Sequence, residues 1–569
     1  MSLKHTQQRL LFLLNQPQGW PKGGAKVYNA LVVFLLIGVV VTRLFQLAEI
    51  PTGLYADETS IGYNAALIAQ TGLDEHGTPF PIYFRAFGEY KNPIYMYLTA
   101  LIFKLFGISA FNLRLTSVLF YLPALLLTLF LVSKAFNRNK AIELYTLAGF
   151  GFLPVFFMLS RISFEVISQL TWITAANLCI WILFNESSVP VNHGLEAGLP
   201  KAGLPKAGLP QTATKRSVNF LGAALCGLIL GSSIYTYSTA RLLSFLTIIS
   251  LWVIYLKREN IKTLAIITVM FLASLIPYIV FTLTHPGATT ERFLSISYID
   301  DPIPVIEKVQ VFVRSLFKYW SPDFLVIHGD PNLRHGTGYG GIVFYVTLVL
   351  FGIGLVSLFW GKKLNRFNIF LLVNLLMSPL AAVITSAGAP HALRSVLLGY
   401  YLFLISCYGM ALLSNLKDHR LKKILMGSVA FWLAIEIIGY QANYFVFYPS
   451  KSIEAMESFD VQASLQFAVD QNPQAIVFVN EPRTSYANLE FYADLISNPQ
   501  NIPITMTQEP VPTADSCLIY HQWNEASLGV SPAQFSEYES LKQPNVIERL
   551  SGVKPRKGIM KVRCYEAAQ

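Results

Sequence analysis

Residues 28–60 read YNALVVFLLIGVVVTRLFQLAEIPTGLYADETS, and this stretch decides the fold. Its first part, residues 28–48, is an apolar run long enough for a helix to cross the roughly 30 Å core of a bilayer. Two adjacent carboxylates, Asp57 and Glu58, follow this run closely. Because similar apolar segments recur along the chain, the sequence predicts an α-helical polytopic membrane protein.

The composition of the whole chain agrees with this class. Of the 569 residues, 53% are hydrophobic and only 13% are charged, whereas a soluble domain carries about 25% charged residues. The mean hydropathy is +0.47. The net charge of +10 does not indicate a nucleic-acid-binding protein, because the basic residues form short clusters between apolar runs, as the positive-inside rule predicts.

We predict about eleven membrane-spanning helices within residues 1–444. The predicted segments are 28–48, 113–133, 141–160, 166–184, 218–236, 242–256, 263–283, 341–360, 367–386, 394–414 and 424–444. Basic clusters precede the first segment and then occur in every second connection. This alternation predicts a multi-pass membrane protein with a cytoplasmic N-terminus.

The connections on the opposite side are longer and less basic. The first outer loop, residues 49–112, contains two segments that we interpret as helices at the membrane surface, Thr59–Gln70 and Pro93–Phe106. If Pro93–Phe106 crossed the membrane, the basic cluster after residue 133 would lie on the outer side, against the positive-inside rule. A further large outer loop covers residues 284–340.

The polar tail, residues 445–569, is predicted to be a small extracytoplasmic α/β domain. It contains a helical segment over residues 452–469, a strand over residues 475–479 and another strand from Cys517. In an oxidising compartment, Cys517 and Cys564 are expected to pair as a disulfide.

One cytoplasmic connection, residues 185–217, has low complexity. The tetrapeptide AGLP begins at Ala197, Ala202 and Ala207. Because glycine and proline at this density oppose helices and strands, we interpret the segment as an insertion without a catalytic role.

The candidate site residues are ionisable groups in the outer loops or at the outer ends of helices. Such groups are costly against lipid and usually functional. They are Asp57, Glu58, Glu89, Lys91, Arg114, Arg161, Glu165, Arg241, Asp330, Arg334, His335, His391 and Arg394.

Two interpretations of Asp57 remain open from the residues alone. It either caps a helix that starts near Thr59, or accepts a proton from an attacking hydroxyl. Lys91 precedes Pro93, which suits the first position of a helix, so Lys91 is predicted to bind a phosphate at a helix N-terminus. Several arginines converging on one face also suit a phosphate, because guanidinium binds it bidentately.

Other polar residues favour structural roles. Arg161 and Glu165 are four residues apart, which predicts an ion pair on a helix face. Carboxylates and imidazoles also bind divalent cations, but their spacing matches no metal motif, so a bound cation is left open. The candidate ligands for such a cation are Asp57, Glu58, Asp330 and His335.

These segments resemble the GT-C superfamily of glycosyltransferases, and within it family 39 in the broad sense, which includes protein O-mannosyltransferases and lipid A aminoarabinose transferases. Asp57-Glu58 resembles the acidic pair of the family's first outer loop, and KNPIY at residues 91–95 resembles its K-P-P-L-Y segment, with Asn92 replacing the first proline. Phe106-Gly107 followed by Arg114-Leu115 is similar to its F-G…R-L stretch.

The resemblance covers roughly residues 30–415. Three later segments, YTYSTAR from residue 235, HGDPNLRHGTGYGG from residue 328 and HALRS from residue 391, also look like those of bacterial members.

The resemblance implies a GT-C fold, a polyprenyl-phosphate sugar as donor, and a hydroxyl of a protein, lipid or glycan as acceptor. It also implies inverting transfer on the extracytoplasmic side of a bacterial plasma membrane, with Asp57 and Glu58 as the catalytic residues and Asp57 as the base. The residues implied for the donor phosphate are Lys91, Arg241, Arg334, His335, His391 and Arg394. The residues expected to be structural or to position the substrate are Glu89, Arg114, Arg161, Glu165 and Asp330.

Two other functions stay open. A transporter or flippase of a lipid-linked sugar would place charges near the bilayer midplane or in paired broken helices. A non-enzymatic protein of cell-envelope assembly would have a first outer loop without clustered charges. A nucleotide sugar is not expected as donor, since the sequence has no glycine-rich nucleotide loop.

Overall fold

The protein folds into a helical membrane part followed by a small domain with a mixed sheet. The computed structural model describes residues 22–185, 219–360, 364–385, 388–456, 458, 460–479, 486–507, 515–521, 535–542 and 556–565. The predicted insertion with its AGLP repeats lies outside the described residues.

The described residues of the membrane part form eighteen α-helices and one hairpin, besides short π-helical and 3-10 turns. The helices are α1 (Lys22–Leu44), α2 (Ala56–Thr71), α3 (Pro93–Phe106), α4 (Ala110–Ala135), α5 (Lys140–Tyr145), α6 (Pro154–Leu159), α7 (Val166–Asn185), α8 (Phe220–Ser232), α9 (Ala240–Tyr255), α10 (Ile261–Ser274), α11 (Ile276–Thr284), α12 (Glu291–Ile296), α13 (Val305–Tyr319), α14 (Tyr345–Trp360), α15 (Arg366–Met377), α16 (Leu380–Val383), α17 (Val396–Ser414) and α18 (His419–Ala442). The hairpin strands are β1 (Phe84–Ala86) and β2 (Glu89–Lys91).

Helices occupy each of the predicted membrane segments. Within the described part of the chain, six are long and apolar enough to cross a membrane by themselves. They are Gly24–Leu44, Ala110–Ala135, Val166–Phe184, Ile261–Thr284, Arg366–Val383 and Val396–Ser414. The two helices predicted in the first outer loop are also present, as α2 and α3. The chain is therefore a multi-pass membrane protein.

The segment predicted as one span over residues 141–160 is broken. Helix α5 passes into a π-helical turn, and α6 starts anew at Pro154. Proline has no N–H for the preceding turn and clashes with the carbonyl four residues earlier. At the break, Arg43 of α1 donates from Nη2 to the carbonyl of Gly151 at 2.8 Å, so a buried side chain satisfies the backbone there.

The tail forms a five-stranded mixed sheet with helices packed against it. Its elements are α19 (Tyr448–Met456), α20 (Val461–Asp470), β3 (Ala475–Val479), α21 (Tyr486–Ala493), β4 (Ile504–Thr507), β5 (Ser516–His521), β6 (Phe535–Lys542) and β7 (Arg556–Tyr565). The strand order is β4-β3-β5-β7-β6. Strand β3 is parallel to β4 and β5, whereas β7 is antiparallel to β5 and β6.

The sequence predicted most of this domain. Strand β3 has the predicted bounds, and the disulfide between Cys517 and Cys564 is confirmed, since the two residues are paired in register on β5 and β7. The single helix predicted over residues 452–469 is wrong. It is divided near Ser458, whose hydroxyl donates to the carbonyl of Leu54 in the first loop.

The tail packs directly on the first outer loop. The hydroxyl of Thr59 in α2 donates to Asn488 Oδ1 of α21 at 2.5 Å, and the rings of Phe103 and Phe491 stack with centroids 6.4 Å apart. Two segments in contact outside the membrane lie on the same side of it. The first loop and the tail therefore share one face of the protein.

A buried arginine binds the end of α1. The side chain of Arg161 is fully buried and donates to the carbonyls of Thr42, Arg43 and Phe45 at 2.6, 2.7 and 2.8 Å. The last carbonyls of a helix have no partner within the helix. Arg161 satisfies them where water is excluded, and Tyr444 accepts its Nε–H at 3.0 Å.

A second buried arginine holds the connection from α1 to α2. Arg114 donates to the carbonyls of Leu47, Pro51 and Gly53 at 3.2, 2.8 and 2.5 Å. It also binds Glu58 through two bonds of 3.0 and 3.1 Å, with both side chains fully buried. This ion pair fixes the start of α2 against α4.

The structure predicts that Glu58→Gln destabilises the protein strongly. Removing one partner of a buried ion pair leaves the other charge uncompensated, at a cost of about 3–5 kcal/mol. We expect a much lower melting temperature in detergent. Glu49→Gln, which removes an exposed carboxylate of the same connection, is the matched control and should melt like the wild type. Equal melting of all three proteins would contradict the role of this pair.

The contact between the first loop and the tail predicts a labelling pattern. Cysteines introduced at the exposed positions Thr78 and Gln462 should react with a membrane-impermeant maleimide from one side of sealed vesicles. A cysteine at the exposed Glu259, between α9 and α10, should react from the other side. Labelling of positions 78 and 462 from opposite sides would rule out the packing described above.

Candidate functional site

A cavity of about 700 Å³ lies at the end of the membrane part that carries the first loop. Its walls come from the start of α2, the β1–β2 hairpin and the loops before α7, α9, α12, α14 and α17. All the residues predicted to bind the donor phosphate line it: Lys91, Arg241, Arg334, His335, His391 and Arg394. Asp57, Glu89, Glu165 and Asp330 line it as well.

Three predicted site residues lie elsewhere. Glu58, Arg114 and Arg161 are fully buried behind the cavity wall, in the ion pair and carbonyl contacts that hold the connection after α1. Glu58 also accepts the N–H groups of Tyr55 and Ser163 at 3.2 and 2.9 Å. Its oxygens are thus engaged by structural donors.

Asp57 lies in the first turn of α2 and faces the cavity. The cap of this helix is Tyr55, and Glu58 accepts the N–H of Tyr55, so the interpretation of Asp57 as the helix cap is wrong. Asp57 Oδ1 lies 2.6 Å from Lys91 Nζ, and its side chain is 38% exposed. Burial alone would raise the pKa of Asp57, but the charge and hydrogen bond of Lys91, together with the charges of Arg334 and Arg292, hold the pKa below its usual range.

Lys91 is held between two carboxylates. Its Nζ contacts Asp57 and, at 2.8 Å, Glu89. Glu89 and Lys91 are two residues apart on β2 and therefore share a face of the hairpin. The tight turn before them requires positive φ at Phe87 and Gly88, 53° and 74°. Burial disfavours the ammonium, but both carboxylates overcome this and raise the pKa of Lys91.

Glu165 belongs to the cavity and not to a helix-face ion pair. The predicted pair with Arg161 is not formed, because residues 161–165 are not helical and the two side chains diverge. Glu165 instead accepts from the backbone N–H and the Nδ2 of Asn92 at 2.5 and 3.0 Å. Burial raises the pKa of Glu165 to about 7, against the attraction of Lys91 and the bonds from Asn92.

Neutral partners hold two of the cavity arginines. Arg241 Nη1 donates to the carbonyl of Thr289 at 2.9 Å, and its guanidinium lies 5.7 Å from the ring centroid of Tyr278. Arg394 Nη1 donates to Thr385 Oγ1 at 2.9 Å. These contacts hold both side chains in the wall of the cavity.

The long outer segment of residues 284–340 contributes two more arginines. Arg334 stacks over the ring of Tyr55 at 4.0 Å and donates from Nε to Asn332 Oδ1 at 3.1 Å. Arg292, which sequence analysis did not single out, binds Glu89 at 2.9 Å. Its signal in the sequence was weak, since it is one charge in a polar loop.

Asp330 joins two loops. Its Oδ2 accepts the N–H of Ala392 at 2.7 Å and lies 3.2 Å from His335 Nδ1. The ring of His391 stacks on that of His335, with centroids 4.4 Å apart. Burial, and then the charges of its neighbours, lower the pKa of His391 to about 2. His391 is therefore neutral at physiological pH and offers a phosphate no full charge.

No family model and no curated protein matches the sequence, but solved structures match the fold. ArnT, the lipid A aminoarabinose transferase, from Cupriavidus metallidurans in the apo state superposes with a TM-score of 0.53 at 11% identity, over 94% of this chain and 98% of that one. ArnT bound to undecaprenyl phosphate gives 0.53 and 11%, over 94% and 97%. The Archaeoglobus fulgidus oligosaccharyltransferase tethered with an acceptor peptide gives 0.48 and 10%, over 84% and 63%. The two superpositions on ArnT show that the chain has the fold of that protein.

Proposed function

We propose that the protein is a membrane glycosyltransferase that transfers a sugar from a polyprenyl-phosphate donor to an acceptor hydroxyl. The observation that carries this proposal is the cavity in which Asp57 lies beside five cationic side chains. These are Lys91, Arg241, Arg292, Arg334 and Arg394. A structural neighbour with the same fold, ArnT, binds undecaprenyl phosphate.

The arginines supply the site for the leaving phosphate. Because neutral groups hold Arg241 and Arg334, their charges are available to an anion. Guanidinium binds phosphate oxygens through two parallel N–H bonds. Donors that are fixed before the reaction stabilise the charge that develops on the leaving group, and this is usually a large part of catalysis.

Asp57 acts as the base. The acceptor oxygen attacks the anomeric carbon, its proton passes to Asp57, and the bond from that carbon to the phosphate oxygen breaks with inversion. The electron pair leaves with the polyprenyl phosphate. A donor phosphate in the cavity competes with Asp57 for Lys91, which weakens the hold of Lys91 on the carboxylate and makes Asp57 a stronger base.

Glu58 takes a different role from the one that the acidic pair suggested. We assign Glu58 a structural role, because Arg114 and two backbone N–H groups donate hydrogen bonds to its oxygens. Adjacent residues on a helix do not share a face, so Glu58 points to the interior while Asp57 faces the cavity.

We place the cavity on the extracytoplasmic side of the plasma membrane. The predicted orientation puts the basic connections in the cytoplasm, and the cavity lies at the opposite end with the tail. The disulfide of the tail supports this assignment, since disulfides persist in oxidising compartments. The acceptor hydroxyl of a protein, lipid or glycan then enters from the aqueous side.

The proposal predicts that Asp57→Asn abolishes transfer but preserves donor binding. Asparagine has the size of aspartate but accepts no proton at neutral pH, and loss of a general base costs about 10²–10⁴ in rate. Arg394→Ala should weaken both donor binding and turnover, because it removes a phosphate contact. The assay is single-turnover transfer from a polyprenyl-phosphate sugar with purified protein, beside a binding measurement and the Glu49→Gln control. A wild-type rate for Asp57→Asn would refute the assignment of the base.

The raised pKa of Glu165 predicts that donor binding depends on pH. Its carboxyl is protonated below about pH 7, so the cavity gains a negative charge as the pH rises through 7. A sugar phosphodiester keeps one charge over this range, and its affinity should therefore fall between about pH 6 and 8. In Glu165→Gln the profile should be flat. A wild-type slope in that variant would exclude Glu165 as the titrating group.

A further inference from the structure

The wall of the cavity contains a compact group of metal-ligand atoms. Asp330, His335 and His391 each offer one ligand atom, and these atoms lie within 4.8 Å of one another. Asp330 Oδ2 is 3.2 Å from His335 Nδ1 and 3.8 Å from His391 Nδ1. Two ligands of one tetrahedral zinc ion, each about 2.0–2.1 Å from the metal, are about 3.4 Å apart. The observed separations lie on either side of that value.

Hydrogen bonding within the protein explains only part of this arrangement. A bond to Asp330 satisfies His335, but Nδ1 of His391 is buried without a hydrogen-bond partner among the residues that the structure describes. An unsatisfied buried polar atom costs about 1–3 kcal/mol. The loop before α17 nevertheless holds this nitrogen toward the carboxylate that His335 also faces.

We propose that Asp330, His335 and His391 bind a divalent cation of the zinc class. Two imidazoles and one carboxylate are a ligand set that zinc takes where it keeps an open position. The backbone N–H groups of Asn332 and Ala392 bind the two oxygens of Asp330 at 2.9 and 2.7 Å, which orients the carboxylate as outer contacts of metal ligands do.

The open position faces the cavity. Arg334 and Arg394 are close to the site in sequence, and their positive charges repel a cation there. The single carboxylate of Asp330 must therefore balance the charge of the metal ion. A phosphate oxygen in the cavity would add the missing negative charge. The cation and the donor phosphate are therefore expected to favour each other's binding. This second step rests on the proposed function, whereas cation binding itself does not.

Metal analysis of the purified full-length protein tests the site. After equilibration with Zn²⁺ and removal of the unbound ion, the wild type should retain about one equivalent, and His391→Gln should bind at least about 100-fold more weakly. His391→Gln is the informative variant, because Nδ1 of His391 makes no hydrogen bond within the described part of the chain. Added Zn²⁺ should raise the melting temperature of the wild type but not of this variant.

His328→Ala is the matched control. His328 lies in the same loop and binds Asp323 at 2.5 Å, but both side chains are exposed, so this variant should retain zinc like the wild type. Equal zinc retention by the wild type and His391→Gln would overturn the proposal, as would equal loss in His328→Ala. Inorganic phosphate should tighten zinc binding, and failure of this effect alone would count against the phosphate cavity and not against the cation site.

Discussion

Two buried guanidinium groups determine the geometry on which the rest of the structure depends. The chain leaves α1 and turns into α2 in a region where its carbonyl groups have neither helix nor water as partners. Arg114 and Arg161 satisfy them, and Glu58 balances the charge of Arg114. An unpaired polar group at this depth would cost several kcal/mol. The satisfied network therefore fixes where α2 begins and where Asp57 points.

The sequence predicted the membrane segments and the members of the cavity well, because both depend on local signals. Apolar length identifies a span, and Lys91, Arg241 and Arg394 lie at helix ends that topology places on one face. The contacts that individual side chains make were harder to predict. Arg161 and Glu165 suggested an ion pair by spacing, but that spacing has meaning only in a helix. Gly151 and Arg43 meet across 108 residues, and no local pattern predicts such a contact.

The acidic pair shows why neighbouring residues of one type can differ in chemistry. Glu58 lies in a buried network of donors, while Asp57 is partly exposed and has the ammonium of Lys91 as its main partner. Lys91 connects Asp57 to Glu89, and Glu89 connects this group to Arg292. A ligand that binds any one of these groups changes the electrostatic environment of the others.

The contact between the first outer loop and the tail also has a consequence for biogenesis. Thr52 donates its N–H to Ser452 Oγ at 3.1 Å, across 400 residues of sequence, and α2 packs on α21. During synthesis, the helix that carries Asp57 emerges early, but the surface that packs on α21 stays uncovered until the last part of the chain has been made. Pairings at such separation form late in folding. The ribosome therefore completes nearly the whole polypeptide before the helix that carries Asp57 gains its contacts with the tail.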